Sequence, residues 1–148
     1  MQILRTTSEN PEFQNLVKKL DVYLAFMDGE DHAFYDQFNK IDMLKNCVVV
    51  FENDEAVSCG AIKALDEDSM EVKRMFKLPD YRGKGLAVSV LKELEVWAKE
   101  LEYKKTVLET GKLQVEAVAL YKKCGYEMIP NYGQYIGIEN SICFDKIL

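Results

Sequence analysis

Two glycines and two bases alternate at Arg82-Gly83-Lys84-Gly85, directly ahead of Leu86 and Ala87. An apolar run with interleaved charges, Val72 to Leu78, comes before them and closes at Pro79. A clean amphipathic helix pattern follows. Strand, glycine turn and helix in that order point backbone N–H groups and a helix N-terminus at one spot, which suits a phosphate or pyrophosphate. Gly83 and Gly85 allow a backbone path that a Cβ would block, and Arg82 and Lys84 bring charge suited to phosphates. The same residues also read as a plain strand-to-helix turn with solvated bases. A P-loop is excluded, because its four-residue spacer and following Lys-Ser/Thr are missing. A dinucleotide fingerprint fits poorly, since its three glycines stand at other spacings and open a Rossmann unit.

The elements that must position this turn follow from periodicity. Residues 2–6 read as a first strand. Asn10-Pro11-Glu12 is a helix start, and Phe13, Leu16, Val17, Leu20, Leu24 and Met27 continue it as one apolar stripe until Asp28-Gly29. Asp31 to Phe38 reads as a shorter helix, whose Phe34, Tyr35 and Phe38 either wall a pocket or cover a sheet face. Cys47–Phe51 and Ala56–Leu65 form a hairpin around the polar turn Glu52-Asn53-Asp54-Glu55, and Gly60 marks a bulge or a close backbone approach. Met70–Leu78 extends this meander. The helix after the glycine turn buries Ala87, Val90, Leu91, Leu94, Trp97, Ala98 and Leu101 on one face. Thr106–Glu109 then follows as a strand parallel to Met70–Leu78. Gln114–Cys124 is a helix capped by Gly125, Tyr126–Ile129 a strand, Asn131–Gly137 an aromatic and glycine-rich loop, and Ser141–Leu148 the last strand.

The 148 residues fit one domain, 1–148, with room for a real core. With 25 acids against 19 bases, the net charge is −6. That argues against nucleic-acid binding, which needs clustered Lys and Arg, and permits a cationic substrate. Cys47, Cys59, Cys124 and Cys143 form no C-x-x-C pair and sit in apolar contexts, so reduced thiols are expected. No spacing suits a metal, and the one histidine, His32, reads as a surface or packing residue. No apolar run approaches the ~20 residues of a membrane span, and the first residues lack the basic start and apolar core of a signal peptide. A cytoplasmic protein is expected.

Two segments carry a family resemblance. Glu71-Val72-Lys73-Arg74-Met75-Phe76-Lys77-Leu78-Pro79-Asp80-Tyr81-Arg82-Gly83-Lys84-Gly85-Leu86-Ala87 resembles the signature segment of the GNAT superfamily of acyl-CoA-dependent N-acyltransferases. Gln114-Val115-Glu116-Ala117-Val118-Ala119-Leu120-Tyr121-Lys122-Lys123-Cys124-Gly125-Tyr126 is similar to that family's second conserved segment, with glutamine where asparagine is usual. The two stand in the family's order and at its separation. The resemblance implies an α/β fold: a mixed, mostly antiparallel sheet of six or seven strands, with helices on both faces and a splayed parallel strand pair.

It also implies acetyl transfer from acetyl-CoA, as co-substrate, to a primary amine by direct attack in a ternary complex. The amides of Arg82, Gly83, Lys84, Gly85, Leu86 and Ala87 would bind the pyrophosphate, with Gln114 and Ala117 also on the cofactor side. The backbone of Phe76 and Leu78 would hold the pantetheine, and the N–H of Phe76 or Met75 would face the thioester oxygen. Tyr121 would be the general acid, with a core aromatic as its alternative reading. Glu71 would be the base, or else a partner of Lys73 or Arg74. Glu109 is a second candidate, as base or as a binder of a cationic substrate. A small-molecule acceptor is expected. A peptide acceptor or a silent acyl-CoA sensor are the alternatives, and a homodimer through the last strand is compatible with the pattern.

Overall fold

A computed structural model describes residues 1–31, 43–81 and 83–148. The expected helix at 31–38, His32 and Arg82 therefore lie largely or wholly outside the described residues. Among the described residues, seven strands form one sheet in the order β1-β2-β3-β4-β5-β7-β6. They are β1 (Gln2–Thr6), β2 (Asn46–Glu52), β3 (Glu55–Ala64), β4 (Ser69–Lys77), β5 (Lys105–Gly111), β6 (Glu127–Ile129) and β7 (Ser141–Ile147). All neighbours are antiparallel except β4 and β5. Three α-helices among the described residues accompany them: α1 (Pro11–Asp28), α2 (Leu86–Glu100) and α3 (Val115–Lys123). This is the expected mixed sheet.

Local chemistry sets the boundaries. Asn10 caps α1 by accepting the Phe13 N–H at 3.0 Å, and Pro11 opens the helix. Asn53 and Asp54 both hold positive φ, 50° and 66°, the conformation of a tight two-residue hairpin turn between β2 and β3. The Asp66 carboxylate accepts the N–H groups of Asp68 and Ser69, which turns the chain into β4. Gly125, at φ 92°, ends α3.

Two cores form. Phe13, Leu16 and Val17 of α1 pack on Cys47, Val49, Cys59 and Ala61 on one face of the sheet. On the other, α2 buries Val90, Leu91 and Leu94 with Val48, Ile62, Val72 and Leu108, and Tyr121 of α3 joins them. Helices thus cover both faces. β5 runs further than the expected Thr106–Glu109, because Thr110 and Gly111 also pair, with Ile142 and Ser141. That places Glu109 within the strand, not at its end.

Gly60 is where a close approach was expected. A Cβ there would lie 2.5 Å from Met75 Sδ, 2.8 Å from Val90 Cγ1 and 3.0 Å from Leu94 Cδ1. The missing side chain lets β3 sit directly under α2. Gly60→Val forces those groups apart and should cost on the order of 1–3 kcal/mol. Thermal unfolding checks this, and an unchanged midpoint would contradict the packing described.

Candidate active site

β4 and β5 pair only through Ser69↔Lys105, Met70↔Thr106 and Glu71↔Val107. Beyond Glu71 they part, and a cavity of about 210 Å³ opens between them. Met75, Phe76, Ala87, Gln114, Ala117 and Tyr121 border it, as do Glu71, Arg74 and Glu109, with the second half of α1 along one side. Both signature segments thus meet at one cleft.

A bulge decides which backbone groups face that cleft. Cys59 pairs with Phe76 and Ala61 with Lys73, so Gly60 alone opposes both Arg74 and Met75. Arg74 takes up the extra residue at φ 60°. After the bulge, the Leu78 N–H bonds to Val57 O at 2.8 Å. In an antiparallel ladder, N–H groups two residues apart point to the same side, so Phe76 also turns its N–H toward β3. The expectation that Phe76 and Leu78 present their backbone to the cleft is therefore off by one residue. Lys77, between them, faces the open edge, and Met75 is the residue next to the bulge on the cleft side. The bulge shifts the alternation by one, and its position is not legible in side-chain types.

The glycine turn leads into an uncapped helix end. Gly85 is the N-cap of α2 at φ 71°, with no side-chain hydrogen bond, and Gly83 stands at φ 78°. Nothing lies within 4 Å of where a Cβ would stand on either glycine. The need for glycine here is thus conformational: the space is open, but left-handed φ disfavours other residues. Among the described residues, no acceptor pairs with the first amides of α2, which leaves them available to an anion. Tyr81 anchors the turn by donating to Glu55 Oε1 at 2.5 Å, and Lys84 Nζ lies 5.2 Å from the centre of its ring. Gln114 is the N-cap residue of α3 and makes no side-chain cap bond. Leu78, Gly83, Lys84, Gly85 and Leu86 lie outside the cavity lining, as befits a turn beyond its end.

At the other end of the cleft, two carboxyl groups differ sharply. Both oxygens of Glu71 have donors: the Tyr132 hydroxyl at 2.5 Å and Lys73 Nζ at 3.4 Å. The pairing with Lys73 is the alternative weighed for this residue from sequence. Glu109 accepts from Ser141, but its Oε2 is buried with no partner among the described residues. Burial pushes its carboxyl up to about 7, and the charges of Asp28 and Glu71 add to the rise. Tyr121 is buried, edge-on to Tyr126 at 5.8 Å. Burial raises its phenol above the usual range, with smaller contributions from Cys124 and Glu109, so it stays protonated at neutral pH.

Sequence reasoning gave the 131–137 loop only a general part in choosing the acceptor, Arg74 only a place as a possible partner of Glu71, and Ser141 no role. Asn131 Nδ2 lies 3.0–3.1 Å from the carbonyls of Tyr135, Ile138 and Ser141, and so folds the loop back on itself. Tyr132 and Tyr135 stack edge-on at 5.8 Å, and Tyr135 is buried in the cavity wall. The clustered aromatic residues were the signal, but their partners lie far away in sequence.

Residues 10–126 match the model of the acetyltransferase (GNAT) family, and the chain belongs to that family. It is 32% identical over 123 residues to the IAA acetyltransferase of Azospirillum brasilense, covering 81% of this chain and 80% of that one. It is 39% identical over 85 residues to an uncharacterised N-acetyltransferase, YjgM, of Escherichia coli, covering 55% of this chain and 50% of that one. The chain spans about half the length of several such curated relatives. A crystal structure of a Klebsiella pneumoniae protein assigned as an acyl-CoA N-acyltransferase superposes with a TM-score of 0.83 at 27% identity, over 99% of this chain and 97% of that one.

The state of Glu109 has a stability signature. Its folded value, about 7, lies above the ordinary 4.5, so between these values the native state binds more proton than the unfolded chain. Its contribution is complete below about 4.5 and is lost as pH rises through about 7. Glu109→Gln should therefore gain stability relative to wild type at pH 8 over pH 4.5. Urea unfolding at both values reads the difference, and an equal effect at the two would contradict the raised value.

Proposed function

We propose that this chain transfers an acetyl group from acetyl-CoA to a primary amine, by direct attack within one cleft. The observation that carries this reading is the parting of β4 from β5 after Glu71↔Val107, with Glu109 and Tyr121 bordering the gap. The gap accepts a strand-like chain along the free edge of β4, and the uncapped N-terminus of α2 with its glycine turn accepts a pyrophosphate. The residues present thus fit the co-substrate. Gly83, Lys84, Gly85, Leu86 and Ala87 would hold the pyrophosphate, with Arg82 in the same motif. The backbone of Lys77 would hold the pantetheine, the Met75 N–H would serve the thioester oxygen, and Gln114 and Ala117 would border the chain. Bound acetyl-CoA supplies the activated acetyl group.

The protein's own groups divide the proton work. Glu109, poised near neutrality with an unpartnered oxygen, takes the proton of the incoming ammonium. Glu71, held by Tyr132 and Lys73, has both oxygens engaged, and its charge adds a little to the rise that burial gives Glu109. Different partners for two carboxyl groups separate their roles. Glu109 is thus favoured over Glu71 as base. The Tyr121 phenol, held neutral by burial, gives its proton to the departing sulfur.

A small-molecule acceptor is supported by the limited cavity, closed on one side by the 131–137 loop. Cytoplasmic residence is consistent with the reduced, largely buried cysteines. Among the described residues, no helix is long and apolar enough to cross a membrane.

Turnover with an amine panel tests the reading. kcat/KM should rise with pH through an apparent value near 7, since the base must be unprotonated. Glu109→Gln should lower it roughly 10²–10⁴-fold. Tyr121→Phe should lower kcat with acetyl-CoA affinity kept. Turnover of peptides alone would favour a protein acceptor, and acetyl-CoA binding without any turnover would favour a sensor. Separately, Gly85→Val strains a left-handed position and should abolish calorimetric acetyl-CoA binding with the circular dichroism spectrum retained. Retained binding would count against the pyrophosphate cradle.

A further inference from the structure

The first residues of β3 hold the connector between β4 and α2 at two points. Val57 O accepts the Leu78 N–H at 2.8 Å, and Glu55 Oε1 accepts the Tyr81 hydroxyl at 2.5 Å. Glu55 is itself fixed, because it pairs with Glu52 across the two-residue hairpin turn. The Tyr81 ring packs against the core that α2 buries. The hydrogen bond to Glu55 does most to raise the Tyr81 phenol above its usual range, so the hydroxyl remains a donor at neutral pH.

The turn that follows has no such packing. Gly83, Lys84 and Gly85 are exposed, and the missing Cβ of each glycine would stand in open space. Both glycines are left-handed, with Lys84 between them at ordinary φ, an alternation that lets successive N–H groups converge on one anion. Glycines lose the most conformational freedom when they are fixed. An anion binding here must therefore order the turn or find it ordered, and a turn ordered beforehand spares the ligand that cost. Tyr81 restrains this stretch from both sides: its hydroxyl is tied to β3, and its ring lies 5.2 Å from Lys84 Nζ.

Resting on the acetyl-CoA reading, we infer that Tyr81 and Glu55 are positioning residues for the co-substrate, and that the bond between them holds the glycine turn in the shape that takes the pyrophosphate. Glu55 thereby aids the binding of a polyanion although it is itself an anion. It acts through the place it gives Tyr81, not through its charge. Charge alone predicts the opposite sign, since removing a carboxylate near an anion site strengthens anion binding.

Calorimetric binding of acetyl-CoA by wild type, Tyr81→Phe, Glu55→Ala and the double variant forms a cycle that isolates the bond. Each single variant should weaken binding about threefold to tenfold, the worth of one hydrogen bond, and the double variant should be no weaker than the worse of the two. KM for acetyl-CoA should rise by the same factor, with kcat at saturation and KM for the amine kept. Unchanged or tighter binding in Glu55→Ala overturns the inference while the transfer reading stands. Losses that add in full overturn it too, because the two side chains then act separately, and so does a loss confined to kcat. Coupled losses of binding in a protein that acetylates no amine support the inference and overturn the transfer reading. A wild-type protein that binds no acetyl-CoA overturns both. Circular dichroism checks the fold of each variant, and Glu55→Ala, a change at an exposed residue, decides alone if Tyr81→Phe does not fold.

Discussion

The structure turns on a parallel ladder that stops after three residue pairs. Backbone N–H and C=O groups buried without partners are costly, so two adjacent strands normally stay paired to their ends. Here β4 keeps β3 on one side and β5 keeps β7 on the other, and only the edges facing each other are released. The sheet remains continuous through Ser69–Glu71, which holds the two halves together. Beyond that point the free edge of β4 can take up an added extended chain. The two helices whose N-termini adjoin the gap, α2 and α3, follow directly from the sequences after β4 and β5.

The bulge at Arg74–Met75 links this opening to the core. Gly60 makes it possible, because β3 must offer a single small residue opposite two of β4 while Met75 and α2 close over the same spot. One consequence is a change of alternation, which presents Met75 and Lys77 instead of their neighbours to the cleft. Another is the burial of Arg74 beneath α1. The bulge therefore couples the backbone that faces the cleft to the burial of Arg74. Within the cleft, burial does most to raise the Glu109 carboxyl, and the charges of Asp28 and Glu71 add to the rise.

Most of the fold was legible because its signals are local. The Asn10-Pro11 start, the α2 stripe and the Gly125 stop each depend on residues within a few turns, and each stands where its chemistry places it. The strand–turn–helix order around Gly83 and Gly85 was equally plain. What escaped depends on registers and distant partners. The bulge is a mismatch between two strands, so which backbone groups between Met75 and Leu78 turn toward the cleft could not be read from the letters. Glu71 and Glu109 look alike as letters. Only the arrival of Tyr132, 61 residues from Glu71, and of Ser141 from β7 separates them. Arg74 reads as one more charge in a basic strand until α1 is seen to cover it.

The central claim is that the Glu109 carboxyl, held in the gap between β4 and β5, is the group that takes the acceptor's proton. A carbon-13 titration of that carboxyl by NMR in the folded protein addresses it directly. The account predicts a midpoint near 7, moving down when Glu71 is replaced by glutamine, since one of the charges that raises it is then gone. A midpoint near the ordinary 4.5, indifferent to Glu71, would contradict it.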